Sequence, residues 1–158
     1  MVAIYPLVLF LHSLTRWLVV LGALWLLVAA VSSLGRTSSV ETSPVRVPWR
    51  VYMGGLHLQF VFGLLLLFMS PLALAAWADM GAAMKVKPMR FFSIEHPTLM
   101  IIALVVAQMG AVRARKARDA AGAARTSLVF AGLSVLLILV AIPWPFLGTI
   151  ARPLLRSW

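Results

Sequence analysis

Apolar residues run along this chain in four long blocks separated by three short, more polar stretches. The blocks lie at about Tyr5–Leu34, Arg50–Trp77, Phe92–Val112 and Arg125–Leu147. A helix rises about 1.5 Å per residue, so ~20 apolar residues cross a hydrocarbon layer ~30 Å thick. Every block meets that length. None alternates with the period of two that a barrel strand requires. The expected fold class is all-α: a polytopic membrane protein with four transmembrane helices, in which residues 1–158 form one domain.

The connecting stretches are short. Gly35–Trp49 is rich in Ser, Thr and Pro, Ala78–Phe91 holds Gly81 and Pro88, and Arg113–Ala124 is strongly basic. Short links between long helices predict an up-down-up-down antiparallel bundle. The first block has no basic residue in Met1–Phe10, and His12 and Arg16 interrupt it. It therefore reads as a retained helix, not a signal peptide. The I-P-W-P-F run at Ile142–Phe146 ends the fourth helix, because two prolines cannot continue it.

Composition agrees with this pattern. The chain is 63% hydrophobic and 11% charged, which excludes an ordinary soluble globule. It has no cysteine, which removes disulfides, thiolate metal sites, iron–sulfur clusters and covalently attached haem. The net charge of +10 comes without any nucleic-acid recognition motif. It reads as loop anchoring against anionic headgroups, and nucleic acid is not an expected partner. Basic residues divide eight against five between the two ends of the expected bundle. The larger group is Arg36, Arg46, Arg50, Arg113, Arg115, Lys116, Arg118 and Arg125; the smaller is Lys85, Lys87, Arg90, Arg152 and Arg156. The positive-inside rule then predicts cytoplasmic loops at 35–49 and 113–124, with both termini outside.

Trp49, Trp77, Trp144 and Trp158 fall at expected helix ends, as an interfacial aromatic belt would. Ala103, Ala107 and Ala111 form a small-residue stripe suited to close helix packing. Gln59 and Gln108 are expected in the inner half, bonding between helices. Met53 and Met100, one turn from His57 and His96, are expected to fill gaps beside those rings.

The candidate chemistry lies in three histidines, His12, His57 and His96, one on each of the first three helices. Ionisable side chains at bilayer depth are costly and are usually functional. By helical rise, His12 lies roughly 10 Å and His96 roughly 5–6 Å from the outer face, whereas His57 lies roughly 10 Å from the inner face. Two histidines at similar depth on facing helices suit the axial positions of a haem iron. His12 and His96 meet that requirement. His57 is offset and fits a second haem or a quinone site, with Met109 the nearest candidate for a partner ligand. A site for a small metal ion needs three or four converging ligands, and the depth of His57 works against one even if Glu95 supplies an oxygen.

Arg16 lies one helical turn from His12 on the same face and needs a counter-charge. A haem propionate and the Glu95 carboxylate both qualify. Glu95, next to His96, could instead orient a histidine ring or relay a proton.

Four motifs carry a family resemblance: L-H-S-L-T-R-W at Leu11–Trp17, A-D-M-G-A-A-M-K at Ala78–Lys85, R-F-F-S-I-E-H at Arg90–His96, and I-P-W-P-F. Together they resemble small four-helix bacterial membrane proteins that carry the name cytochrome b. The resemblance spans nearly the whole chain and implies roles for the three histidines, Arg16 and Glu95. The opening motif is also similar to the first helix of small di-haem quinol-linked cytochromes b. Those proteins have four ligating histidines, some on the fourth helix, where this chain has none. The implied function is non-covalent haem b, one or two copies, carrying electrons between the quinone pool and a partner protein in a bacterial inner membrane. Two alternatives are a non-catalytic subunit of a membrane respiratory complex and a metal- or proton-coupled protein using His12, His57, Glu95 and His96. Expected partners are the lipid bilayer, quinone, other membrane subunits or a second copy of the chain.

Overall fold

The structure is a computed structural model that describes residues 4–155. Arg156 and Trp158, counted above among the outer basic residues and the aromatic belt, lie outside the described residues. The helices are α1 (Ile4–Val31), α2 (Arg46–Met69), α3 (Pro71–Ala78), α4 (Met80–Ala83), α5 (Lys87–Arg90), α6 (His96–Arg115) and α7 (Ala120–Ala141). A π-helical segment, Phe91–Glu95, joins α5 to α6, so Lys87–Arg115 is one continuous 29-residue helix. Short 3-10 turns lie at Val40–Thr42 and Gly148–Ile150, and no strand occurs among the described residues. The chain thus has four helices long and apolar enough to cross a membrane.

Caps and prolines move the helix boundaries away from the edges of the apolar blocks. The second block breaks at Ser70, which Pro71 holds extended at φ −70° and ψ 126°. Pro71 then opens α3, where its missing N–H is not needed. The stretch 78–91, expected as a loop, contains α4 and α5. Asp79 caps α4 by accepting the Ala82 N–H at 2.9 Å. The fourth helix begins at Ala120, ahead of Arg125, because Asp119 accepts the Gly122 N–H at 2.7 Å. It ends at Ala141 because Pro143 keeps Ile142 extended at φ −69° and ψ 129°.

In the bundle α1 lies along α2 and α6 along α7, while α1 also meets α7 and α2 meets α6. Two diagonals remain, α1 across from α6 and α2 across from α7. Gly55 approaches Val19 and Gly22 approaches Tyr52, so α1 and α2 run antiparallel. At one end the Ala120 and Ala121 N–H groups donate to the carbonyls of Ser38 (2.9 Å) and Arg36 (3.1 Å). This is the loop end; the opposite end carries His12 and His96.

The packing reverses the pattern of a soluble protein. Only 28–33% of each apolar window is buried, so most of the large side chains face outward. Leu21, Val28, Phe68, Leu136 and Val140 are all exposed. The interior is made of small residues. Ala103, Ala107, Ala111 and Ala114 on α6 pack with Ala123 and Ala131 on α7. In lipid, apolar helices would have no reason to associate by burial alone, and close backbone approach would supply the attraction. Gly110 is the tightest point. A Cβ added there would stand 2.3 Å from Phe130 Cβ and 3.0 Å from the Trp49 ring.

Two buried hydrogen-bond chains cross the α2–α7 diagonal. Trp49 Nε1 donates to Ser127 Oγ (2.8 Å), which donates to the Ala123 carbonyl (2.7 Å). The Tyr52 hydroxyl donates to Ser134 Oγ (2.8 Å), which donates to the Ala103 carbonyl of α6 (2.8 Å). Trp49 is therefore a core residue, 5% exposed, not a member of an interfacial belt. Because α2 starts at Arg46, Trp49 already lies in its first turn and points inward.

Overpacking of this kind costs about 1–3 kcal/mol. Gly110→Ala is expected to lower thermal stability in detergent by that amount, whereas Gly132→Ala, whose Cβ meets nothing within 4 Å, should not. An equal melting temperature for the two variants would refute the close approach at Gly110.

Candidate functional site

His12 on α1 and His96 at the start of α6 come from opposite corners of the bundle and meet inside it. Their ring centroids are 6.3 Å apart, with the planes at 70°. His57 does not join them. It lies near the middle of α2, is exposed, and lines a cavity toward the loop end. Among the described residues no three His, Asp or Glu side chains converge as a metal ion would need.

The end of α7 orients His96. In a continuing helix the Ala141 carbonyl would accept from the N–H of residue 145, but that residue is Pro145. The freed carbonyl accepts from His96 Nδ1 at 2.8 Å. The neutral ring then keeps its lone pair on Nε2. The π-helical segment sets the ring's approach. Pro97 would press on the Ser93 carbonyl in a regular α-helix. The wider turn relieves this, with the His96 backbone N–H bonded to Phe91 O, five residues back. The Phe91 ring backs His96 at a centroid distance of 5.9 Å.

Gln59 on α2 orients His12. Its Nε2 lies 3.1 Å from His12 Nε2 and 3.0 Å from the His12 carbonyl, so one amide group can donate to both. Thr15 Oγ1 reaches the Leu11 carbonyl (2.8 Å) and also bonds Gln59 Oε1, which fixes the amide orientation. The neutral His12 ring, accepting at Nε2, carries its proton on Nδ1. That nitrogen is buried and has no hydrogen-bond partner. Leaving it so costs about 1–3 kcal/mol. Gly63 of α2 stands beside it; an added Cβ would lie 3.4 Å from His12 Cε1 and 3.8 Å from Nδ1.

The expected pairing of Arg16 with Glu95 does not occur. Glu95 accepts from Arg90 Nε at 2.6 Å, and Arg90 Nη1 donates to the Met84 carbonyl at 2.9 Å. The five-residue spacing of Arg90 and Glu95 spans the π-helical segment, whose wide turn brings both onto one side. Arg16 Nη2 donates to the Leu154 carbonyl and lies 3.5 Å from Ser13 Oγ. Trp17 Nε1 shares the Leu154 carbonyl at 3.2 Å. Arg90–Glu95 is the one ion pair among the described residues, so Arg16 faces no carboxylate there.

Gln59, expected in the inner half, belongs to the histidine end. With α2 spanning Arg46–Met69, residue 59 lies past its midpoint. Gln108 stays toward the loop end and shares the cavity of His57 and Met53. Met100 packs against the core. Thr15, Gly63 and Ala141 were not among the candidates drawn from sequence. Thr15 follows His12 by three residues and Gly63 follows Gln59 by four, so helical spacing already places both beside the pair. Pro145, four residues beyond Ala141, marks the free carbonyl.

Each histidine is thus held through one ring nitrogen; Nε2 of His96 offers a lone pair, whereas Nδ1 of His12 carries the ring proton and would offer one only with that proton moved to Nε2 and the Gln59 amide turned so that Oε1 accepts it. Histidine nitrogens bind metals at about 2 Å, so two imidazoles sharing one ion would have their centroids no more than about 6 Å apart. The observed separation fits that spacing, and the unpartnered His12 Nδ1 fits a missing ligand. Comparison of the chain with protein-family models, curated proteins and solved structures found no match.

Gln59→Leu removes the donor to His12 and the acceptor for Thr15. It should lower thermal stability by about 1–3 kcal/mol and leave helix content by circular dichroism unchanged. Unchanged stability would show that the network does not hold His12.

Proposed function

We propose that this protein is a membrane-embedded b-type haem protein that transfers single electrons, with His12 and His96 as the residues that would hold the haem. The observation that carries this reading is the pair itself. Two imidazoles from diagonal helices face each other in the interior, one nitrogen on each is anchored by the protein, and the buried Nδ1 of His12 is left without a partner. When bound, haem supplies reversible one-electron redox chemistry at its iron.

The chain's own residues prepare the site. The Ala141 carbonyl accepts from His96 Nδ1, as outer-shell groups do for ligating histidines, and Gln59 holds the His12 ring at Nε2. Arg16 is a half-buried guanidinium with no carboxylate partner among the described residues, which suits it to a propionate. Its present acceptor, the Leu154 carbonyl, is neutral and would be displaced at modest cost. Glu95 is tied to Arg90 and supports the turn that presents His96. The expected setting is a bacterial inner membrane with both termini outside. The electron partners are the quinone pool and a second protein. His57 lies outside this haem site.

Absorption spectroscopy tests the proposal. Full-length protein from haem-replete cells should give a reduced-minus-oxidised b-type α-band. His12→Ala and His96→Ala should each abolish it, and His57→Ala should retain it. Folded protein with no band, or a band that survives both substitutions, would overturn the proposal.

A further inference from the structure

On its flank between α2 and α6, toward the loop end, the bundle holds a cavity of about 520 Å³. Its walls are arranged in three tiers. At the mouth stand Arg46, Arg50 and Arg115. One turn deeper the walls are Gly54 on α2 and Ala111 on α6. Deeper still are His57 and Gln108, both exposed. The spacing explains the tiers. Residues 50, 54 and 57 share one face of α2, and residues 108, 111 and 115 share one face of α6. The helices are antiparallel, so these faces match level by level. The polar tier lies seven residues, about 10 Å, below the arginines.

This arrangement is unbalanced in two respects. The arginines are not neutralised by the protein. Arg46 Nη1 donates to the Glu41 backbone carbonyl at 2.8 Å, and Asp119 is occupied capping α7. None of the three is in an ion pair among the described residues. Below them, two hydrogen-bonding side chains are presented at a depth where the rest of the helix exterior is apolar, as at Leu58, Val61, Ile102 and Val105. Polar groups so placed need a partner.

We propose that this cavity binds one anionic, phosphate-headed diacyl lipid, one with no cation on its headgroup, with the phosphate at Arg50 and Arg115 and the acyl-ester region in the slot made by Gly54 and Ala111. His57 and Gln108 donate toward the ester carbonyls. The slot is passable because α2 has no side chain at Gly54, where an added Cβ meets nothing within 4 Å. A second copy of the chain is a poor occupant. It would bring another cluster of arginines against this one, in a protein of net charge +10. The site stands independently of haem.

The test uses purified full-length protein in neutral detergent. Phosphatidylglycerol, phosphatidylcholine and inorganic phosphate are added separately, with native mass spectrometry and thermal unfolding as readouts. One phosphatidylglycerol should remain bound and raise the melting temperature, while phosphatidylcholine washes off and phosphate at millimolar concentration does nothing. Arg50→Gln with Arg115→Gln should weaken retention about thirtyfold, since each basic residue near a lipid surface contributes about fivefold. Gly54→Leu fills the slot without touching a charge, and should abolish retention with the lipid-free melting temperature unchanged. Equal retention of both lipids, protection by phosphate alone, retention by the Gly54→Leu variant, or a stable two-chain mass that excludes lipid would each overturn the proposal.

Discussion

A polar side chain inside this bundle is satisfied by a carbonyl one turn back in its own helix, by another helix or by a bound ligand, because the small-residue core offers no water. That requirement fixes the register of all four helices. Trp49 reaches Ser127, Tyr52 reaches Ser134 and through it Ala103, Gln59 reaches His12, and His96 reaches Ala141. Between them these bonds join every long helix to at least one other. Each is worth on the order of 1 kcal/mol in a membrane. Their larger effect is on specificity, since a one-residue slip of any helix would strand several donors at once. Small residues make the bonds possible. Without Gly110 and the alanines of α6 and α7, the backbones would stand too far apart for a serine hydroxyl to bridge them.

The one conspicuous exception among the histidines is His12 Nδ1. In a core so thoroughly satisfied, an unpartnered imidazole nitrogen beside a bare glycine is a signal. The proposed haem site and the proposed lipid site follow the same logic from opposite ends of the molecule. At the histidine end an imidazole N–H has no acceptor and a guanidinium faces no carboxylate among the described residues. At the loop end three guanidinium groups are without an ion pair among the described residues.

The four helices were legible in the sequence because length and apolar composition are properties of a whole block and survive small errors at its ends. The division of the histidines into a pair and an outlier was legible for a similar reason, since depth follows from counting residues. Placement of single side chains was more fragile. Taking Arg50 as the start of α2, when the helix begins at Arg46, shifts depth by about 6 Å. That shift put Gln59 in the wrong half and Trp49 at the interface. The partner of Arg16 was not legible at all, because a main-chain carbonyl such as that of Leu154 has no side-chain signature.

The π-helical segment before His96 is, in mechanical terms, a dislocation: one surplus residue carried in an otherwise regular rod. Such a defect can migrate along a helix, and each step turns the residues it passes by about 100°. A step past His96 would swing its ring away from Ala141 and break the alignment with His12. Pro97 obstructs that step, because the proline ring cannot sit in a regular turn against the Ser93 carbonyl. The azimuth of His96 is therefore locked by its neighbour in sequence, acting through the main chain.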